Sequence, residues 1–315
     1  MHILITGGAG FIGSHLVDWL IAQGHQVRVL DNFSTGRRPT LGSIGASATF
    51  IEGDVRDFAT VRSATRGVDY VFHLAAMVSV HQSIEQPLEA QAINATGSLH
   101  VLEAARLEGV RRVVQASSCA VYGNTERLPV SEAEPPQPLS PYAVTKLAAE
   151  QSGQLYTRLY QLETVALRFF NVYGPRQDPS SPYAAVVPRF IAALRAHQAP
   201  TIYGDGQQSR DFIFVGDIVR ALWTAAITPD PGAGIFNVGR GEASSILDLI
   251  TTISDLLNVQ TQPVFAPARS GEVRHSRADV MLFAKQAGFH AQVGLREGLM
   301  TIIETHLTEP PIPIT

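Results

Sequence analysis

The chain has 315 residues, a formal net charge of −4, 45% hydrophobic residues and 17% charged residues. That length suits one large α/β domain, or a large domain with a smaller one. The charge balance, with no basic run longer than the pairs Arg37–Arg38 and Arg111–Arg112, excludes a general nucleic-acid or membrane-surface binder. A single cysteine, Cys119, excludes an internal disulfide and a cysteine-held cluster, and the ten histidines lack ligand-like spacing, so no metal is expected.

At the amino terminus, "MHILITGG" is too short and too quickly broken by glycine to be a signal peptide. No later apolar run approaches the about 20 residues of a membrane span, so a cytoplasmic protein is expected. Next comes "ILITGGAGFIGSHLVDWL", which reads as a strand, a glycine-rich turn and the start of a helix. Gly8, Gly10 and Gly13 satisfy G-x-G-x-x-G, while Gly7, Gly10 and Gly13 satisfy a G-x-x-G-x-x-G spacing. Either trio lets a pyrophosphate lie against backbone N–H groups at the positive end of the helix. Phe11 and Ile12, inside this turn, join the glycines as candidate cofactor contacts.

The runs 2–6, 26–30, 48–52, 69–75, 111–118 and 163–170 are rich in β-branched and apolar residues and read as strands. Helical periodicity separates them, notably over 11–23, 87–108 and 141–160. This alternation predicts βαβ units and a doubly wound parallel sheet. Asp31 ends the second strand, where a carboxylate accepts hydrogen bonds from an adenosine ribose and repels a 2′-phosphate. That favours NAD over NADP, although Arg37 and Arg38 nearby offer such a phosphate a partner. Asn32 follows as a further cofactor candidate, and a plain turn role for Asp31 is the competing reading.

Ser140 and Pro141 begin the helix over 141–160 as cap and first residue. Tyr142 and Lys146 then share one face. Eight tyrosines and two lysines in 315 positions give such a pair about 0.05 times by chance (8 × 2/315). A solvated face would be served equally well by arginine, which supplies the other 22 strong bases. A chemical role explains the lysine better. Phenol has a pKa near 10, and a compact ammonium together with an oxidised nicotinamide favours phenolate, making Tyr142 a base for a hydroxyl proton. Lysine also offers a point donor to the nicotinamide ribose. The strand over 111–118 ends at Ser117 and Ser118. Ser118 is the candidate for orienting the substrate oxygen, with Ser117 as the substitute.

After about residue 171 the alternation loosens, with proline-rich turns at 175–188 and 229–231 and an irregular stretch at 263–278. The expected organisation is a cofactor domain over 1–170 and a smaller substrate lobe over 171–315, from which "RDFIFVGDIVRAL" and "IFNVG" return toward the main sheet. The tail "EPPIPIT" is expected to fray.

Assembled, these motifs resemble the extended short-chain dehydrogenase/reductase family, whose fold is Rossmann-like, and within it the nucleotide-sugar 4-epimerases. The likeness runs through "TGGAGFIGSHL", "DNFSTG", "GDVRD", "HLAA", "SSCAVYG", "SPYAVTK", "LRFFNVYGPRQDP", "IYGDGQQSRDFIFV" and "RSGEVRHSRAD". It implies that Asp54 and Val55 flank the adenine of NAD. Leu74, Ala75, Ala76 and Phe169 contact the cofactor, and Ser118, Tyr142 and Lys146 form the catalytic centre. It implies a UDP-sugar pocket lined by Asn171, Val187, Tyr203, Arg210, Ile246, Arg269 and Glu272. Two arginines suit a pyrophosphate, and an aromatic suits uracil.

Family members that dehydrate or decarboxylate carry an acidic residue just before "VYG". Here Cys119 and Ala120 stand there, favouring oxidation and re-reduction at C4 of UDP-glucose or UDP-galactose. The resemblance puts Ser276 near the C2 substituent, where serine leaves room for an N-acetyl group. A UDP-glucuronate 4-epimerase is the alternative, with Arg176 or Arg189 meeting the carboxylate, and a non-catalytic NAD-sensing protein is the alternative of another class. The resemblance also implies a homodimer through a four-helix interface. Leu99, Leu102, Leu147, Leu155 and Leu159 are its candidate contacts, with packing on the sheet as the competing reading.

Overall fold

A computed structural model of the chain describes residues 1–36, 48–179, 185–229, 234–268 and 273–308. Its first half runs β1 (His2–Thr6), α1 (Phe11–Ala22), β2 (Gln26–Asp31), β3 (Ala48–Glu52), α2 (Phe58–Thr65), β4 (Tyr70–His73), α3 (Val80–Glu85), α4 (Pro87–Ala90), α5 (Gly97–Leu107), β5 (Arg112–Ser118), α6 (Pro141–Tyr160) and β6 (Glu163–Phe169). The second half runs β7 (Asn171–Tyr173), α7 (Val186–Arg195), β8 (Thr201–Tyr203), β9 (Ser209–Arg210), β10 (Phe212–Phe214), α8 (Val215–Ile227), β11 (Ile235–Val238), β12 (Ser244–Ser245), α9 (Ile246–Leu257), β13 (Val264–Ala266), α10 (Met281–Ala287) and α11 (Leu295–Thr308).

Seven strands form one sheet in the order β11-β6-β5-β4-β1-β2-β3, and every neighbouring pair is parallel. Such a sheet must bury both faces. One face packs on α1 and α8 through Leu16, Leu20, Ile218 and Leu222; the other packs on α2 and α5 through Val61, Val101 and Leu102. This is a Rossmann-like, doubly wound α/β fold. Its topological switch point lies between β1 and β4, and ligands of such sheets bind at the carboxyl ends of the strands there. A further hydrophobic cluster of Phe190, Ile191, Leu249, Ile253 and Leu299 packs α7, α9 and α11 together. The "IFNV" segment extends the main sheet as β11, while "FIF" pairs with β7 as β10.

Arg112 ties the second half to the first. Its side chain is fully buried, pairs with Glu163 at 2.5 Å and donates to the carbonyls of Ala225, Ala226 and Thr228, where α8 ends. Those carbonyls would otherwise be orphaned at the helix terminus.

The helix expected over 87–108 is divided. Gln91–Thr96 widens into a π-helical turn between α4 and α5. Asn94, 1% exposed there, accepts from the backbone N–H of Met77 and donates to both the Met77 carbonyl and Thr145. The chain leaving β4 is thereby tied to α6. Such local widenings recur at functional sites, and hydrophobic periodicity carries no trace of them.

Candidate active site

The glycine turn follows from steric need. Gly7 has φ +72°, and a Cβ on it would stand 2.7 Å from the backbone nitrogen of Ala75. A Cβ on Gly13 would stand 2.1 Å from the Gly7 carbonyl oxygen. Bare backbone therefore lets the turn, the first turn of α1 and the segment after β4 close on one another at the switch point. Leu74 and Ala75 are fixed there by Thr6, which accepts from Leu74 through its carbonyl and from Ala75 through its hydroxyl. Ala76 follows in the same segment. Gly10 caps α1 without a side-chain acceptor. The first-turn N–H groups of Phe11 and Ile12 are thus available to an anion rather than to a capping oxygen.

Asp31 closes β2 and is 8% exposed. One of its carboxylate oxygens accepts from Ala9 N–H and the other from Phe33 N–H, at 2.9 and 2.8 Å. The turn role and the ligand role weighed against each other in the sequence coexist, because each oxygen keeps a further lone pair for a ribose hydroxyl. Asn32 donates to Asp54, and Arg56 holds Asp54 on both oxygens, drawing its pKa down to about 2. Val55 is buried against Gly97. Phe169 ends β6, directly beside Ser118 in the parallel register. These residues fit NAD: a glycine cradle that a Cβ on Gly7 or Gly13 would fill, an uncapped helix start, and a carboxylate at the end of β2. NAD is the cofactor.

At the carboxyl end of β5, Ser118 caps a short 3₁₀ turn over Cys119–Tyr122, accepting from Ala120 N–H. Its hydroxyl lies close enough to the Tyr142 phenol to draw the phenol pKa down. Tyr142 lies in the first turn of α6, whose start is set by Ser140 accepting from Ala143 N–H and by Pro141. Tyr142 N–H donates to Ser83 on α3. Ser117 turns away and donates to Glu150 at 2.5 Å. Of the two serines, the structure brings only Ser118 to the phenol.

The expected acidifying effect of Lys146 on that phenol is not present in this geometry. Burial raises the Tyr142 pKa to about 12, and the Ser118 hydrogen bond opposes only part of this. The Lys146 ammonium lies 5.9 Å from the Tyr142 ring centre and donates to the Ala116 carbonyl at 2.9 Å. Desolvation outweighs a single charge at that range. Lys146 itself is pushed down to about 8 by burial, with Glu150 pulling the other way.

Asn171, Val187, Tyr203, Arg210 and Ile246 come together around one cavity of about 260 Å³, also lined by Arg189, Phe190, Gln208 and Phe212. Arg189 sits over the Tyr203 ring at 6.0 Å. Arg210, from the cavity wall, and Ser276 are both near enough to Cys119 to draw its thiol pKa down, against the larger effect of burial. Arg176 pairs with Asp18 at 2.6 Å. Arg269 and Glu272 lie outside the described residues, as do Arg37 and Arg38.

The residues that hold this region together are not among the candidate site residues read from the sequence. Asp211, fully buried, accepts from the N–H groups of Arg240, Gly241 and Ala278, and so fixes the loops beside Arg210 and Ser276. Glu150 and Arg168 form a buried pair behind Ser117. Glu150 had a signal available, since it continues the Tyr142–Lys146 spacing by one more turn. Asp211 had none, because its partners lie 29 or more residues away.

The chain is similar to known proteins over nearly its whole length. A model of the NAD dependent epimerase/dehydratase family matches residues 3–239. The UDP-glucose 4-epimerase of Mycolicibacterium smegmatis is 42% identical over 308 residues, covering 96% of this chain and 98% of the relative. Among solved structures, the UDP-N-acetylglucosamine 4-epimerase from Methanobrevibacter ruminantium, in complex with UDP-N-acetylmuramic acid, superposes with a TM-score of 0.94 at 38% identity, covering 98% of each chain. MoeE5 in complex with UDP-glucuronic acid and NAD superposes with a TM-score of 0.89 at 38% identity, covering 98% of this chain and all of that one (100%). Fold, cofactor cradle and sequence likeness converge: the chain belongs to the NAD-dependent epimerase/dehydratase family.

Proposed function

We propose that the protein is a UDP-hexose 4-epimerase that interconverts UDP-glucose and UDP-galactose and also accepts UDP-N-acetylhexosamines. The observation that carries this reading is Tyr142 beside Ser118 at the carboxyl edge of the sheet, together with a cavity of about 260 Å³ lined by arginines and an aromatic. In that cavity Arg210 faces the pyrophosphate and Tyr203 the uracil, so the nucleotide is anchored while the sugar is not. Ser118 orients the C4 oxygen, and Tyr142 removes its proton. NAD, held by the glycine turn and Asp31, would supply the positive ring charge that favours the Tyr142 phenolate and a reversible acceptor for the C4 hydride, so that no net redox change results. The resulting 4-keto sugar turns about its link to the anchored nucleotide, and Tyr142 gives the proton back to the other epimer.

Two features favour this simple cycle. Ala120 stands where a dehydratase would place an acid, and burial pushes the thiol of the preceding Cys119 up to about 11, so that neither can abstract a proton at C5. Arg176 is already neutralised by Asp18, which favours an uncharged hexose over a glucuronate.

Anomeric proton NMR of UDP-galactose, UDP-N-acetylglucosamine and UDP-glucuronate, each followed without added NAD, tests the reading. Conversion of the first two to their C4 epimers is expected. Conversion of UDP-glucuronate alone, or steady build-up of free NADH, would overturn it. The assembly is a homodimer in the same proposal: Leu99, Leu155 and Leu159 stand 43%, 48% and 58% exposed on α5 and α6, whereas Leu102 is in the core. Sedimentation at micromolar concentration is expected to give twice the 34.0 kDa chain mass; a monomer alone would refute it.

A further inference from the structure

Behind the proposed catalytic residues lies a charged pair that the reaction does not touch. Tyr142, Lys146 and Glu150 succeed one another at intervals of four along α6, on the side facing β5. Each reaches a different one of the last three residues of that strand: Tyr142 the Ser118 hydroxyl, Lys146 the Ala116 carbonyl, and Glu150 the Ser117 hydroxyl. Glu150 is 2% exposed, and Arg168, 3% exposed, grips it through two bonds of 2.9 and 2.7 Å. The register of β5 and β6 sets Ser117 directly beside Arg168, so this pair is built into the sheet. Arg168 in turn stacks on the Tyr122 ring at 4.7 Å, and Tyr122 donates to Asn237 on β11. A buried ion pair of this kind contributes little net stability over apolar packing of the same shape. Its cost calls for another role.

We propose that Glu150, clamped by Arg168, is a positioning residue for the epimerase reaction: its fixed negative charge holds Lys146 as an ammonium and its bond to Ser117 keeps Ser118 aligned on Tyr142. This rests on the function proposed above. The groups facing Lys146 are few. Tyr142 and Glu150 flank it on α6. His73 approaches from β4 and is held neutral, with its pKa near 3, by burial between Thr6 and Ser98. Arg168 stands on β6 beyond Glu150. Among the described residues, Glu150 is the group whose negative charge favours the ammonium.

The chain itself provides a probe that does not depend on turnover. It has two lysines, Lys146 and Lys285, and the second is exposed on α10. In protein labelled with ¹³C at lysine Cε, two resonances are expected, assigned by Lys285→Arg. Their pH titration reads Lys146 directly in the NAD-loaded enzyme. In the charge-neutral double variant Glu150→Gln with Arg168→Gln, the Lys146 midpoint is expected to fall by about one pH unit. The alkaline limb of kcat should move by the same amount, with kcat down about tenfold and KM nearly unchanged. Glu150→Asp, which keeps the charge but withdraws it by one methylene, is expected to give a smaller shift in the same direction. Folding is followed by far-UV circular dichroism, and if the double variant does not fold, the aspartate variant decides. A folded variant with an unmoved Lys146 midpoint would overturn the proposal. If Lys146 shifts while the wild type turns over no UDP-sugar, the charge coupling stands and the assigned reaction fails.

Discussion

Tyr142→Phe is expected to lower turnover of UDP-galactose by about 10²–10⁴-fold, the usual contribution of a positioned proton-transfer group. The ring is 8% exposed and packed in the first turn of α6, so phenylalanine fills the same space. Loss of one buried hydroxyl contact costs about 1 kcal/mol, small against the roughly 5–15 kcal/mol by which such domains are stable. Ser118 keeps its bond from Ala120 N–H. The variant should therefore fold, retain NAD, and fail chemically. The wild-type pH profile should show the partner of this group: as pH rises through about 8, Lys146 loses its proton and turnover falls on that alkaline side. Near-normal turnover in the phenylalanine variant would remove the phenol from the mechanism altogether.

Gly13→Val is expected to abolish cofactor retention. A Cβ at this position would stand 2.1 Å from the Gly7 carbonyl oxygen and 2.7 Å from the Gly8 Cα, both of them backbone with no rotamer to yield. Either the glycine turn or the start of α1 must move. A displacement costing on the order of 3 kcal/mol lowers occupancy by about 100-fold. Gly10→Ala provides the contrast: its nearest clash is 3.2 Å, from the same Gly7 oxygen, and a small adjustment relieves it. The absorbance of cofactor released from purified protein, with melting temperature as the control for folding, distinguishes the two. Full NAD content in folded Gly13→Val would show that the turn does not carry the cofactor.

Much of this architecture could be read from the chain because its causes are local. Six strands were expected from β-branched runs between turn signals, and β1, β3 and, to within a residue, β2, β5 and β6 appear at those positions. Helix α6 begins at Pro141 because a capping serine and a proline at the first position leave no better start. The glycine turn was legible for the same reason: only residues without a Cβ permit that backbone so close to its neighbours. Asp31 was legible by position, though its bonds to Ala9 and Phe33 were not, because they depend on where the turn after β1 comes to rest.

What the order of residues determined by itself was a doubly wound parallel sheet, a cofactor turn at its first crossover, and a phenol and an ammonium one helical turn apart. Tertiary structure alone decided which of two adjacent serines meets that phenol, and that Lys146 bonds the Ala116 carbonyl while desolvation keeps Tyr142 protonated without its cofactor. It alone joined Glu150 to Arg168, Arg112 to the end of α8, and Asp211 to two distant loops. The physical reason is common to all of these. Burial and charge pairing are properties of groups brought within a few ångströms of one another from separations of 18 to 116 residues, and no local pattern encodes which groups will meet.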